Sequence, residues 1–207
     1  MRINPKLFAI LGLLLVLGYF LQDLVFNDDQ YAARLRKARK EKSDGFRRIQ
    51  GSPLSEEQRN TFDSLKYYAP DKAYRLEAQL EQFTQRDTVE MPLTDGKADK
   101  YLRWGRATFK LQEQGPEYKL ALFLKANSQD STLFIPFTDR TNGRATYGGG
   151  RYLDTSLPRP DDKEIVLDFN TAYNPFCAYN DTYACPVPPQ DNRLAVEIKA
   201  GEKTYKE

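Results

Sequence analysis

An unbroken apolar run lies near the N-terminus. Every residue from Leu7 to Leu21 is apolar, glycine or tyrosine, and Leu24–Phe26 extend the run beyond Gln22 and Asp23. A helix that crosses a membrane needs about 20 apolar residues, so residues 7–26 are predicted to anchor the chain. A cleaved signal peptide and a buried core helix are the alternatives, but the run offers neither a small-x-small cleavage site nor a polar face.

Basic residues on both sides of this run bear on its orientation. Arg2 and Lys6 precede it and favour a cytoplasmic N-terminus with the domain exported to the periplasmic side. Five basic residues follow it and favour a domain that faces the cytoplasm: Arg34, Arg36, Lys37, Arg39 and Lys40. We expect the exported orientation, with the cytoplasmic-facing domain as the alternative. The same five residues are candidate contacts for anionic lipid headgroups, although a solvated spacer helix also explains them.

Two helices are predicted between the anchor and the rest of the chain. A basic juxtamembrane helix covers residues 28–50, with Asp28 or Asp29 as its N-cap. A second, short helix begins after Ser55, because Ser55 and Gln58 have the spacing of a capping box.

From Tyr74 onward the apolar positions recur every second residue, as they do in strands. Tyr74–Leu80 and Tyr118–Lys125 show this pattern most clearly. Further short strands are predicted at Thr88–Pro92, Ala107–Gln112, Thr132–Phe137, Glu164–Phe169 and Leu194–Lys199. Strands at this spacing without intervening helices are typical of an antiparallel sandwich or a partly closed barrel. The fold is therefore predicted to be mainly β (α+β overall), with the anchor at residues 1–27, the basic helix at 28–50 and one globular domain at 51–207.

Composition narrows the chemistry mainly by exclusion. The chain of 207 residues has no histidine and two cysteines. It therefore cannot build a Ser-His-Asp triad, a Cys-His pair or a histidine-ligated metal site by itself. The net charge of +2 provides no strong field for nucleic acid. We accordingly expect no metal, no resident cofactor and no nucleic-acid partner, and whether the domain is an enzyme stays open.

Two stretches are denser in polar, glycine and aromatic residues than ordinary scaffold. The first is Tyr147–Leu153 and the second is Asp168–Leu194. Together they supply the candidate pocket residues: Tyr147, Gly148, Gly149, Gly150, Arg151, Asp168, Asn170, Tyr173 and Asn174. In that pocket, Arg151 is the natural site for an anionic group. The alternative is a glycine-rich turn with Arg151 in a structural ion pair.

The same stretches resemble a known family. The motifs are Tyr-Gly-Gly-Gly-Arg-Tyr-Leu at 147–153, Asp-Phe-Asn-x-Ala-Tyr-Asn-Pro-x-Cys-Ala-Tyr at 168–179, Cys-Pro-x-Pro-Pro-x-x-Asn-Arg-Leu at 185–194 and Ala-Gly-Glu-Lys at 200–203. They are similar to those of the bacterial and archaeal family 1684 of domains of unknown function, over roughly Arg36 to Lys203. The resemblance implies a shared frame for these motifs, but it implies no activity.

The two cysteines allow different interpretations. If the domain is exported, Cys177 and Cys185 are expected to form a disulfide. If it faces the cytoplasm, they are expected to be reduced and to act as small apolar fillers. A redox-active pair is disfavoured because the spacing is not Cys-x-x-Cys and no basic residue is close in sequence.

Three functions are compatible with these observations. The preferred one is a ligand- or partner-binding module of unknown specificity. The second is a histidine-independent enzyme in which Asp168 is the general acid or base and Arg151 and Tyr173 hold charge. The third is a structural envelope protein whose motifs only hold loops in place.

Overall fold

The computed structural model describes residues 12, 16, 29–48, 50–126 and 131–205. Apart from Gly12 and Val16, the predicted membrane segment at 7–26 lies outside the described residues. In the part of the chain that is described, no helix is long and apolar enough to cross a membrane.

The chain divides into two compact units, Met1–Ala38 and Arg39–Glu207. The predicted basic helix is helical over the described residues 29–47, here called α1, and its residues 39–47 belong to the second unit. Within the second unit, Lys42 and Phe46 of α1 contact the β domain. The division into residues 1–27, 28–50 and 51–207 stays a prediction.

The second helix, α2 (Glu56–Thr61), begins as its capping signal indicates. The Ser55 hydroxyl accepts a hydrogen bond from the Gln58 amide at 3.2 Å, and the Gln58 side chain accepts one from the Ser55 amide at 2.9 Å. This reciprocal pair satisfies two amide donors that have no partner inside the helix. The predicted capping box is therefore confirmed.

Seven antiparallel strands form the body of the domain. They are β1 (Arg75–Gln82), β2 (Thr88–Pro92), β3 (Ala98–Lys110), β4 (Glu117–Lys125), β5 (Thr132–Phe137), β6 (Arg151–Ser156) and β7 (Glu164–Asp168). Their order is β6-β5-β4-β3-β1-β7, with β2 paired to β3. The two end strands approach each other where the Thr155 hydroxyl donates to the Val166 carbonyl at 3.3 Å. The fold is thus mainly β and a nearly closed barrel, which decides between the two predicted architectures.

Strand β3 is long because its two halves pair with different strands. It pairs with β2 up to Leu102 and with β1 from Gly105 onward. Its register with β4 shifts between Arg103 and Gly105, which leaves Trp104 in a β-bulge. A Cβ atom on Gly105 would lie 2.5 Å from the Glu81 carbonyl oxygen. Glycine therefore lets β3 bend against β1 at this point.

The barrel interior is the main hydrophobic core. Its fully buried members include Ala78, Ala107, Leu120, Leu122, Leu133, Ile135, Phe137, Leu167 and Phe169. A second cluster beside the barrel contains Phe46 of α1, Leu54, Leu65, Ala178 and Tyr179. The C-terminal part of α1 is therefore packed on the domain by apolar contacts as well as polar ones.

Two strand assignments from the sequence need correction. The predicted strand at Leu194–Lys199 is wrong, because the Leu194 and Ile198 amides donate to the Thr138 carbonyl and the Asp139 carboxylate instead of to a ladder. Its apolar alternation comes from side chains that pack into the core at the end of the barrel. Strand β6 was not predicted, because residues 151–153 are buried consecutively and show no alternation.

A side-chain amide joins β4 to β5 where their ladder ends. The ladder places Phe123 opposite Phe134. Farther along, the Asn192 side chain accepts from the Ala121 amide at 2.6 Å and donates to the carbonyls of Ala121 and Pro136 at 2.9 and 2.8 Å. Asn192 is completely buried. It therefore replaces the missing backbone partner for both strands.

Replacing Asn192 with alanine is expected to lower the free energy of unfolding by about 3 kcal/mol, because it leaves three buried backbone groups without partners. Urea unfolding followed by circular dichroism measures this change. The neighbouring Asp191 is exposed, so Asp191→Ala serves as the matched control and is expected to change stability by less than about 0.5 kcal/mol. Equal effects of the two substitutions would contradict the bridging role of Asn192.

Candidate functional site

Arg151, the first residue of β6, is completely buried in an ion pair. Its Nη2 donates to the Asp139 carboxylate at 2.8 Å and to the Ile198 carbonyl at 2.9 Å. Its Nη1 donates to the carbonyls of Ala200 and Glu202. Protein acceptors thus surround both terminal nitrogens of the guanidinium. Arg151 therefore forms the structural ion pair that was the alternative to an anion-binding role.

Asp139 is the other half of this ion pair and is equally enclosed. Its Oδ1 accepts hydrogen bonds from the Thr141 amide at 2.8 Å, the Thr141 hydroxyl at 2.6 Å and the Ile198 amide at 3.2 Å. The carboxylate therefore joins three segments, namely its own loop after β5, the start of β6 and the C-terminal segment. A buried carboxylate whose oxygens are all engaged in this way holds segments of the chain together and is not open to a ligand.

The glycines before Arg151 allow a tight turn. The Gly150 amide donates to the Tyr147 carbonyl at 3.2 Å, and Gly150 has a φ of 93°. A Cβ atom there would lie 2.7 Å from the Phe137 carbonyl oxygen, and one on Gly149 would lie 2.5 Å from the Tyr147 ring. Packing within the chain therefore accounts for glycine at positions 149 and 150.

Asp168 and Asn170 hold the segment that follows β7. The Asp168 carboxylate accepts from the Asn170 amide at 3.1 Å. The Asn170 side chain pairs with the backbone of Asp71, accepting from its amide at 2.9 Å and donating to its carbonyl at 2.7 Å. Arg39 of α1 donates to the Asn170 carbonyl at 3.0 Å. These contacts join the 3₁₀ turn at residues 169–171 to neighbouring parts of the domain.

Tyr173 and Asn174 point to two different carboxylates. The Tyr173 hydroxyl donates to Asp154 at 2.8 Å, whereas the Asn174 side chain donates to Glu202 at 3.1 Å. Burial raises the pKa of the Tyr173 phenol, and the Asp154 carboxylate raises it further. The phenol is therefore a hydrogen-bond donor at neutral pH.

Glu202 is a second buried carboxylate, and it is not one of the candidate pocket residues. It is 1% exposed and forms an ion pair with Lys42 of α1 at 2.8 Å. Asn174 and the Tyr179 hydroxyl also donate to it. Burial, followed by the Glu202 charge, raises the pKa of Tyr179. The only sequence signal for this residue was its place in the Ala-Gly-Glu-Lys motif.

The proposed catalytic trio therefore has three separate sets of partners. Arg151 pairs with Asp139, Asp168 accepts from Asn170, and Tyr173 donates to Asp154. Within the described residues, no group of three histidine, cysteine or carboxylate side chains could hold a metal ion. The assignment of this set to ligand binding or catalysis stays a prediction.

Cys177 and Cys185 are buried free thiols that lie side by side. The Cys177 amide donates to the Cys185 sulfur at 3.1 Å. The Tyr147 hydroxyl lies 3.8 Å from the Cys177 sulfur. The structure thus brings together two cysteines that are eight positions apart, while the predicted disulfide itself stays a prediction.

An apolar recess of about 370 Å³ opens beside the turn that joins β3 to β4. Its lining residues are Asp71, Ala73, Tyr74, Leu111, Gln112, Gly115, Pro116, Tyr118, Val196 and Glu197. Tyr74, Leu111, Tyr118 and Val196 also pack against the barrel core. Core residues therefore form much of the wall of the recess.

A groove of about 530 Å³ lies next to this recess and shares Tyr74, Val196 and Glu197 with it. We call it the basic groove, because three cationic side chains line it: Arg140, Arg144 and Lys199. All three cationic residues are exposed. Recess and groove together offer an apolar wall beside a positively charged rim.

One carboxylate lies among these three cations. Glu197 forms ion pairs with Lys199 at 2.9 Å and with Arg144 at 3.9 Å. The hydrogen bond from Lys199 lowers the pKa of Glu197 below its usual range, so it is ionised at neutral pH. Within the described residues, the Arg140 guanidinium has no ion-pair or hydrogen-bond partner. The groove therefore keeps an excess of positive charge.

Comparison with known proteins gives the family of the chain. A family described as "Protein of unknown function (DUF1684)" matches residues 60–203. The chain belongs to this family. A solution NMR structure of an uncharacterized protein from Haloarcula marismortui shares 37% sequence identity with it, at a TM-score of 0.68 and over 87% of this chain and 98% of that chain. Among curated proteins, no match was found.

The DUF1684 match confirms the resemblance that the motifs indicate. The matched region, residues 60–203, contains Asp139, Arg151, Glu202 and both cysteines. In this DUF1684 domain the polar motif residues mostly satisfy each other or the backbone inside the fold. The recess and the basic groove also lie within the matched region, but they are built largely from residues outside the four motifs.

Replacing Arg151 with methionine is expected to lower the free energy of unfolding by about 3–5 kcal/mol, because Asp139 would then be a buried charge without its cation. Chemical unfolding measures the change. Arg144→Met is the matched control, since Arg144 is exposed, and it is expected to cost less than about 0.5 kcal/mol. A stable, normally folded Arg151→Met variant would contradict the scaffold role of the ion pair.

Proposed function

We propose that this DUF1684 domain is a binding module for a small anionic ligand that carries an apolar group. The observation that supports the proposal is the apolar recess beside the basic groove. A ligand that lies across the shared residues Tyr74 and Val196 can place its apolar part in the recess and its anionic group in the groove. Sites for small molecules commonly combine apolar walls with a few polar groups.

The charge of the groove favours an anion over a neutral ligand. Arg140 has no ion-pair partner in the described chain, whereas Arg144 pairs with Glu197 at 3.9 Å and donates to the Arg140 carbonyl at 2.7 Å. An arginine can bind a carboxylate or phosphate oxygen through two parallel hydrogen bonds. The Arg140 guanidinium is therefore available to a carboxylate or a phosphate.

This location differs from the pocket predicted around Arg151. The Arg151 guanidinium is already bound by Asp139 and by backbone carbonyls, whereas Arg140 and Arg144 are exposed. A ligand at Arg151 would have to break the buried ion pair, whereas a ligand at Arg140 has no ion pair to break within the described residues. For this reason we assign the binding role to the groove.

Titration with matched probes tests the proposal. The probes are straight-chain carboxylates and aryl phosphates, and their neutral controls are the corresponding amides and alcohols. We expect the anionic probes to perturb the NMR resonances of Leu111 and Val196, because these residues line the recess. The double variant Arg140→Gln/Lys199→Gln is expected to weaken binding about tenfold, since charge-assisted hydrogen bonds are lost.

The control variant is Lys100→Gln, an exposed position on β3 opposite Glu90. It is expected to leave the affinity unchanged. Equal affinity for anionic and neutral probes, or equal weakening by the control and by the double variant, would refute the anion-binding role.

We also propose that residues 7–26 anchor the chain in a membrane and that the domain is exported. The support is the length of the apolar run and the basic residues before it. Of the five suggested headgroup contacts, Arg39 donates to the Tyr68 carbonyl and Lys40 pairs with Asp44. Arg34 and Arg36 are exposed and are the contacts that we favour.

Membrane fractionation tests the anchor. The full chain is expected to remain with the membrane pellet in high salt and in carbonate, and to be released by detergent. A variant that lacks residues 1–27 is expected to become soluble, because only the apolar run can hold the chain at high ionic strength. Release of the full chain by salt alone would show that basic residues, and not the apolar run, hold it.

A further inference from the structure

We propose that Cys177 and Cys185 are a reversible dithiol–disulfide pair in which Cys185 reacts first with a peroxide and Cys177 then resolves the product. The proposal concerns the loop between residues 176 and 187 and is independent of the ligand proposed for the basic groove.

The first support is the mutual placement of the two thiols. The Cys177 amide donates to the Cys185 sulfur at 3.1 Å, which brings the two residues into direct contact although eight positions separate them in sequence. Both are free thiols. A disulfide between them therefore requires only local adjustment of this loop.

The second support is that the two thiols differ in their hydrogen bonds and in their pKa values. The Cys185 sulfur accepts a hydrogen bond from the Cys177 amide, and hydrogen bonding from Cys177 lowers the pKa of Cys185 to about 7. The Cys177 thiol gives its hydrogen bond to Cys185, and this raises the pKa of Cys177. At neutral pH, a large fraction of Cys185 is therefore thiolate, which is the nucleophilic form, whereas Cys177 stays protonated.

The other titratable groups around the pair do not compete for this role. Burial raises the pKa of Tyr147 to about 12, and its hydroxyl lies 3.8 Å from the Cys177 sulfur. Burial also raises the pKa of Tyr152, whose hydroxyl donates to the Pro186 carbonyl. Both phenols are neutral at neutral pH, so neither adds negative charge beside the Cys185 thiolate.

The third support is the position of the pair close to the surface. Cys177 is 8% exposed and Cys185 is 5% exposed. Three side chains of the same loop are at least a third exposed: Phe176, Tyr183 and Val187. The thiols are thus one side chain below solvent, a depth that hydrogen peroxide can reach when the loop moves slightly.

The reaction balances as a two-electron oxidation of the pair. The Cys185 thiolate attacks one peroxide oxygen, the O–O bond breaks, and the other oxygen leaves as hydroxide and takes a proton to form water. The resulting Cys185 sulfenic acid is attacked by the Cys177 sulfur. The S–O bond breaks, hydroxide leaves with the Cys177 proton as a second water, and the S–S bond forms. A dithiol reductant reverses the change.

Mass spectrometry of the full chain after treatment with hydrogen peroxide tests the pair. We expect loss of the mass of two hydrogen atoms, loss of both titratable thiols and recovery of both with a dithiol reductant. In the Cys177→Ser variant, dimedone is expected to trap a sulfenic acid on Cys185. The Cys185→Ser variant is expected to resist oxidation under the same conditions.

A measurement on the unaltered chain gives the order of reaction without relying on the variants. A limiting amount of iodoacetamide at pH 7 is expected to alkylate Cys185 at least about fivefold more than Cys177, because the thiolate is the reactive form. Preferential alkylation of Cys177 would overturn the assigned order. Thiols that resist peroxide in the folded chain but react in denaturant would overturn the proposal altogether.

Discussion

The ion pair between Arg151 and Asp139 is the interaction on which the rest of this domain depends. Moving two charges out of water costs several kcal/mol for each ion, so the pair is stable only if its remaining donors and acceptors are satisfied. The backbone carbonyls of Ile198 and Ala200 and the Thr141 amide fulfil most of this requirement, and the Arg151 Nε is the one guanidinium nitrogen that has no partner among the described residues. The loop after β5, the start of β6 and the C-terminal segment must therefore assemble together around one buried charge pair.

Glu202 is also a buried charge that needs partners, and one of its partners is Lys42 on the helix before the barrel. Lys42 of α1 reaches the Glu202 carboxylate at 2.8 Å, and Phe46, one turn later, packs beside Tyr179. Tyr179 and Asn174 donate to the same carboxylate. The C-terminal part of α1 is thus held to the domain by the ion pair between Lys42 and Glu202. This explains why residues 39–47 belong to the same compact unit as the sheet.

Residues of the recognisable motifs form much of these two polar clusters, whereas the surface proposed for binding is built from other residues. The motif residues Arg151, Asp168 and Asn170 were predicted as a pocket because arginine, carboxylate and amide groups are common in binding sites. In the fold they satisfy one another or the backbone. The recess and the basic groove combine Tyr74, Leu111 and Val196 with cations from the loop at 140–144, and no local sequence pattern marks that combination.

The sequence by itself determined those elements that depend only on residues close to one another in the chain. The Ser55 capping box, the strands at Thr88–Pro92 and Thr132–Phe137, and the mainly β class follow from spacing and alternation alone. Membership of the family was also predictable from the sequence motifs. Tertiary structure decided the rest. Closure of the barrel, the absence of a strand at Leu194–Lys199 and the burial of Arg151 depend on partners distant in sequence. Alternation records which positions are buried, but only the assembled chain shows whether backbone ladders or side chains satisfy their polar groups.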